Sequence, residues 1–130
     1  MGEVELIYPD LSYKIVGASF RVFNEMGWGL SEVHYQKALA KEFELSGVGF
    51  KREVYVPVQY RGEKIARAFV DFIVEEKVIL ELKVVSKLGY SQSRQLLAYL
   101  QNTGIKLGIL IYFTREGVKY RRVLNSKKDD

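Results

Sequence analysis

The spacing of apolar residues changes along the chain from helical to extended and back again. Helical spacing runs from about Leu11 to Met26, and a second helix is expected from Ser31, as its N-cap, to Gly47. The period then becomes two in "REVYVPVQY", "KIARAFVDFIV" and "KVILELKVV", which are separated by the short turns "RGEK" and "EEK". A third helix is predicted in "GYSQSRQLLAYLQNTG", and "KLGILIYF" and "KYRRVLN" predict two final strands.

This order of elements, ααβββαββ, predicts an α+β fold. The first three strands are expected to form an antiparallel meander within a mixed sheet that helices flank, as in an α/β sandwich. The length of 130 residues, of which 48% are hydrophobic, suits one domain over residues 1–130. We expect its core to span about residues 11–125 and its two ends to be loose.

Composition excludes several kinds of chemistry. The chain has no cysteine and one histidine, His34, so it offers no disulfide framework, no thiolate zinc site and no pair of histidines for a metal. The start "MGEVELIYPDLSYK" does not resemble a signal peptide, and the apolar runs have strand length. We therefore expect a cytoplasmic protein without membrane contact. The net charge of +4 favours polyanionic partners only weakly, since the basic residues are scattered.

Two charged residues interrupt the third predicted strand. Alternation places Glu81 and Lys83 on the face that Ile79 and Val85 share. Both faces of this strand are mostly apolar, which is typical of a strand that is covered on both sides. An isolated buried carboxylate is very costly. A simple ion pair between Glu81 and Lys83 would satisfy both.

A further acid, Asp71, lies on the preceding strand, with Phe69 and Ile73 at two-residue spacing on its own face. A two-residue turn would pair Asp71 with Leu80, whereas a three-residue loop would place it opposite Glu81. The pattern does not choose between these registers, and a bulge in either strand could also bring the acids together. If the two carboxylates converge, they could hold a hard cation such as Mg²⁺ together with a substrate phosphate.

An aspartate on one strand, followed by "ELK" on the next strand and then by a helix, resembles the PD-(D/E)XK nuclease superfamily. In addition, "GLSEVHY" matches Gly-x-x-Glu-x-x-Tyr, so the chain is similar to the GxxExxY proteins, from about Leu11 to Asn125. The stretch "AFVDF" lacks the proline of the superfamily's name. The resemblance implies a restriction-endonuclease-like core and metal-dependent hydrolysis of phosphodiester bonds.

The resemblance also implies roles for individual residues. Asp71 and Glu81 would bind Mg²⁺ or Mn²⁺, and Lys83 would position or activate water. Glu32 would reach the same metal from its helix, and Gln95 would support the active centre. The partner implied is nucleic acid, DNA in the first instance. From the residues alone, the first turn of a helix favours an acid such as Glu32 in any case.

Two functions remain after this comparison. We favour a metal-dependent nuclease, and the alternative is a catalytically silent nuclease-fold module that binds nucleic acid or a protein. A homodimer stays open, because one small site cuts one strand and a two-fold partner would supply the second. Tyr35 is expected in the core, His34 at the surface and Trp28 in the turn between helices, while Tyr99 shares a helix face with Gln95.

Overall fold

The computed structural model describes residues 7–86, 88–89 and 91–125, and its elements follow the predicted order. The bounds are α1 Pro9–Met26, α2 Glu32–Ser46, β1 Phe50–Tyr60, β2 Glu63–Val74, β3 Val78–Val84, α3 Ser91–Thr103, β4 Leu107–Thr114 and β5 Gly117–Leu124. Most of the ends expected to be loose, residues 1–6 and 126–130, lie outside the described residues.

The helix boundaries have local causes. Pro9 occupies the first turn of α1, where its fixed backbone angle is favourable, so the helix begins before the predicted Leu11. The Ser31 side chain accepts a hydrogen bond from the His34 amide at the start of α2, and Gly47 ends α2 in the left-handed conformation with φ 71°. In the part of the chain that the structure describes, no helix is long and apolar enough to cross a membrane.

The five strands form one mixed sheet in the order β1-β2-β3-β4-β5. Strands β1, β2 and β3 are antiparallel neighbours, as the predicted meander requires. Strand β4 runs parallel to β3, with α3 as the connection between them, and β5 is antiparallel to β4. The predicted α+β fold with a mixed sheet is thus confirmed.

The sheet has a separate hydrophobic cluster on each face. One cluster joins α1 and α2 to the sheet through residues such as Tyr35, Leu39 and Phe43, all without solvent exposure. The other joins α3 to the sheet through Leu96 and Leu100. Helices on both faces explain why β3 and β4 are apolar along nearly their whole length.

The regular alternation of β2 breaks at Asp71. Val70 packs in the cluster that contains α3, whereas Phe72, two residues later, packs in the cluster on the opposite face of the sheet. Ile73, the next residue, again packs on the α3 side. The pairing of β1 with β2 is interrupted at Asp71, between the pair Arg52–Phe72 and the pair Val54–Val70. The prediction that Phe69 and Ile73 lie on one face with Asp71 is therefore wrong.

Glu53 stands opposite this break on β1 and has φ 51°, an unusual value for a residue with a side chain. Strand β1 changes the face of its alternating side chains at the same point as β2, and Val54 therefore also faces α3. The irregularity thus lies at the point where the sheet presents Asp71.

Candidate active site

The loop between β2 and β3 settles the hairpin register. Val74 pairs with Val78 and Phe72 with Leu80, so three residues, Glu75, Glu76 and Lys77, form the loop. Glu75 and Glu76 have φ values of 52° and 58°, and the Lys77 amide donates a 2.9 Å hydrogen bond to the Val74 carbonyl. Continuing this register places Asp71 opposite Glu81, so the three-residue alternative is confirmed.

Where the backbone pairing of β2 with β3 ends, the carboxylates of the two acids accept hydrogen bonds between the strands. Backbone pairing stops at Phe72 and Leu80. Beyond it, the Asp71 amide donates to Glu81 Oε1 at 3.0 Å, and the Leu82 amide donates to Asp71 Oδ2 at 2.7 Å. Each carboxylate therefore accepts from the neighbouring strand's backbone, which fixes both side chains beside one another.

Burial and mutual repulsion make this pair reluctant to carry two negative charges. Glu81 is 7% exposed, and burial together with the Asp71 charge raises its pKa to about 8. Burial also raises the pKa of Asp71, and the charges of Glu32 and Glu53 add to the effect. The Lys83 ammonium acts in the opposite direction on both acids.

Lys83 is close enough to act on the pair electrostatically, but it does not neutralise it by direct contact. The ion pairs found among residues 7–86, 88–89 and 91–125 are Arg21–Glu42 and Lys51–Glu76. The simple explanation of the buried charges, an ion pair of Glu81 with Lys83, therefore fails. The two acids remain a site where a cation would be stabilising.

Gln36 is a contact of Asp71 that the sequence did not single out. Its buried Nε2 donates to Asp71 Oδ1 at 3.1 Å and to Glu53 Oε1 at 3.0 Å. Arg52 fixes the orientation of the amide, since its guanidinium donates to Gln36 Oε1 at 2.6 Å. The position of Gln36 could have indicated this contact, because Gln36 lies four residues after Glu32, on the buried side of α2.

The other predicted site residues, Glu32 and Gln95, are exposed. Glu32 is exposed in the first turn of α2 and influences both acids through its charge. Gln95 is exposed on α3. Within the described residues, no cluster of three or more acids and histidines has metal-binding spacing. The role of Glu32 as a third metal ligand, beside Asp71 and Glu81, stays a prediction.

Tyr99 faces the site from α3. It is 9% exposed, and burial together with the Glu81 charge raises its pKa. Of the two residues predicted to share a face of α3, Tyr99 is thus close enough to Glu81 to feel its charge, and Gln95 is exposed.

The motif tyrosine Tyr35 is a core residue, as predicted. Its hydroxyl donates to the Gly27 carbonyl, and its ring stacks on Phe113 with centroids 4.2 Å apart. This bond ties α2 to the turn that precedes it. His34 is exposed, as expected, and Trp28 lies in that turn with the Arg115 guanidinium 5.8 Å from its ring centroid.

The half-buried Asp71 and the buried Glu81, which lie where pairing in a mixed sheet is interrupted, agree with the comparison to known families. The model of the PD-(D/E)XK nuclease superfamily matches residues 9–123, and the chain belongs to this superfamily. No curated protein matched the sequence.

Two solved structures are similar in fold. The crystal structure of SSO0001 has a TM-score of 0.51 and 13% identity, covering 91% of this chain and 78% of that one. An alkaline exonuclease (LHK-Exo) from Laribacter hongkongensis has a TM-score of 0.52 and 11% identity, covering 88% of this chain and 82% of that one. At these identities the likeness concerns the fold alone.

Proposed function

We propose that this protein is a metal-dependent nuclease that hydrolyses phosphodiester bonds of nucleic acid. In this proposal Asp71 and Glu81 bind Mg²⁺ or Mn²⁺, and Lys83 assists the attacking water. The observation that carries the proposal is the adjacent pair of carboxylates, a half-buried Asp71 and a buried Glu81, joined by reciprocal backbone hydrogen bonds and lacking an ion-pair partner in the described chain.

The donor set fits such a metal. Mg²⁺ is usually held by one or two carboxylates and completes its shell with waters and substrate phosphate, so a pair of acids is sufficient. Burial raises the pKa of both acids in spite of the opposing charge of Lys83, so a cation bound between them would be stabilising. When bound, the ion would supply stabilisation of the charge that develops on the phosphate.

The protein's own groups would prepare this site in several ways. Gln36 and the Leu82 amide hold the two oxygens of Asp71 and so fix the direction of its carboxylate. Glu81 must release its proton before it can act as a ligand. Lys83, which already acts electrostatically on both acids, would orient water by donating a hydrogen bond to it.

Several finer assignments belong to the same proposal. We place the chain among the GxxExxY proteins on the strength of "GLSEVHY", and we regard residues 1–130 as one domain acting in the cytoplasm. Glu32 would reach the metal directly or through water, and Gln95 would support the active centre. DNA is the first substrate to test, and a homodimer would allow both strands of a duplex to be cut.

A catalytically silent nuclease-fold module is the second candidate. It is favoured by the exposed position of Glu32 in the first turn of α2. Such a module would bind nucleic acid or a protein without cutting.

Cleavage assays separate the two candidates. Single-stranded and duplex DNA and RNA would be incubated with Mg²⁺ or Mn²⁺ and with wild type, Asp71→Asn, Glu81→Gln or the matched surface control Glu25→Gln. Cleavage by wild type and the control, reduced at least about a hundredfold in both site variants, is the expected result. A folded wild type that binds Mn²⁺ and cuts none of these substrates would establish the silent module.

A further inference from the structure

We propose that one face of the β1–β2 hairpin binds single-stranded nucleic acid and leads it to Asp71 and Glu81. The term "hairpin arm" denotes residues 54–70 here. This inference rests on the proposed function, because it names the form of the substrate for the same site. The binding itself requires neither metal nor cleavage.

The arm extends beyond the body of the sheet. Strand β3 pairs with β2 only from Phe72 to Val74, so the first part of β2 has β1 as its sole paired strand. One face of the arm is covered, because Val56 and Val70 pack in the cluster that contains α3. By alternation, the face that carries Tyr55 and Phe69 points away from α3.

Two aromatic rings dominate that uncovered face. Tyr55 and Phe69 are direct cross-strand partners with centroids 5.6 Å apart, yet they are 39% and 57% exposed. Cross-strand pairing explains why the rings touch each other. It leaves their outer surfaces open to solvent, and large apolar groups exposed together commonly mark a binding surface.

Positive charge accompanies these rings. Lys64 Nζ lies 5.7 Å from the Tyr55 ring centroid, and Arg67 precedes Phe69 by two residues on the same face. At the tip, the Arg61 guanidinium is 5.6 Å from the Tyr60 ring centroid. The arm thus carries Arg61, Lys64 and Arg67 against one acid, Glu63, which makes it complementary to a polyanion.

The arm ends at the acids, at the point where the sheet switches sides. Asp71 follows Phe69 by two residues, or about 7 Å along an extended strand. At the base of β1, exposed Arg52 donates to the Gln36 amide that contacts Asp71. A chain whose bases meet the rings and whose phosphates meet the cations would therefore come close to Asp71 at the base of the arm.

The rings select a single strand over a duplex. A base can stack on an aromatic side chain only if its face is free, whereas the bases of a duplex already stack on one another. Cations alone would bind both forms. The combination of two open rings with flanking cations is the arrangement by which single strands are held without sequence preference.

The test is fluorescence anisotropy of labelled oligothymidylate, about 15 nucleotides long, with protein in EDTA. We expect Tyr55→Thr/Phe69→Thr, which keeps β-forming side chains, to weaken binding about tenfold or more. The control Tyr13→Ala removes an 83% exposed aromatic on α1 and should leave Kd unchanged. An abasic chain of equal length should bind wild type no more tightly than oligothymidylate binds the double variant.

A second variant covers the case in which the first fails to fold. Lys64→Gln/Arg67→Gln should reduce the slope of log K against log salt by about 1.4, that is about 0.7 for each lost phosphate contact. Unchanged affinity and slope in folded variants would overturn the inference. A wild-type dimer that Tyr55→Thr/Phe69→Thr dissociates would also overturn it, since a second copy would then cover the face.

Failure of the proposed function would look different. If the arm variants lose binding but the wild type cuts nothing with Mg²⁺ or Mn²⁺, the nuclease proposal fails and the binding face stands. If the wild type cuts nucleic acid and the arm variants bind and cut equally well, the binding face alone fails.

Discussion

Replacing Glu81 by Gln should stabilise the metal-free protein at alkaline pH. The side chain is 7% exposed and its pKa is raised to about 8 by burial and by Asp71. In the unfolded chain the same carboxyl titrates near its ordinary value of 4.5. Glutamine has nearly the shape of protonated glutamate, and its oxygen can still accept from the Asp71 amide.

The sign of the effect follows from proton binding. Between pH 4.5 and about 8 the folded protein holds a proton on Glu81 that the unfolded chain has released, so the free energy of unfolding falls as pH rises through this window. A tenfold change in proton affinity corresponds to about 1.4 kcal/mol, which sets an upper limit of about 5 kcal/mol above pH 8. The glutamine variant lacks this loss.

Urea unfolding in EDTA at about pH 4.5, 6, 7.5 and 9 measures the difference directly. The stability of Glu81→Gln over wild type should be near zero at the lowest pH, grow through the window and level off above about pH 8. The exposed control Glu25→Gln should stay within about 0.5 kcal/mol of wild type throughout. A difference that is flat with pH, or that favours wild type at pH 9, would refute the assigned burial of the Glu81 charge.

Three further outcomes follow from the same geometry. Gln36→Leu should weaken Mn²⁺ binding about 10- to 100-fold in calorimetry, because the Asp71 carboxylate loses a donor that positions it. The exposed control Gln101→Ala should leave Mn²⁺ binding unchanged, and equal affinities of Gln36→Leu and wild type would contradict this role of Gln36. Wild-type Mn²⁺ affinity should fall about tenfold for each pH unit below 8, since metal competes with the proton on Glu81, and a pH-independent Kd would exclude Glu81 as a ligand. Gly108→Ala should cost about 1–3 kcal/mol in urea unfolding, because a Cβ there would lie 2.7 Å from Leu96 Cγ; unchanged stability would show that α3 can shift freely.

Much of the fold could be predicted because local signals and periodicity agree. Ser31 and Gly47 act as caps at both ends of α2, where the sequence places them. The continuous apolar run of β4 matches a strand buried on both faces. The order of elements followed from these patterns, and so did the antiparallel meander.

The site was harder to predict because it depends on departures from regular structure. Alternation fails at Asp71 since the sheet switches sides there, opposite the positive φ of Glu53, and a period-two pattern contains no sign of such a switch. Both hairpin registers also satisfied the same pattern.

The contacts around the acids depend on tertiary packing. Gln36 meets Asp71 across 35 positions of sequence, and a single buried amide on a helix has no motif of its own. The resemblance identified Asp71, Glu81 and Lys83, which the structure brings together, but it gave no information on the exposure of Glu32 and Gln95.

The most direct test of the central claim is isothermal titration of Mn²⁺ into wild type, Asp71→Asn and Glu81→Gln at about pH 8, where Glu81 can release its proton. Circular dichroism would establish that each protein is folded. The account predicts saturable binding by wild type that both substitutions abolish. Binding that survives either substitution, or no binding by a folded wild type even with a non-cleavable oligonucleotide present, would contradict the assignment of these two acids as a metal site.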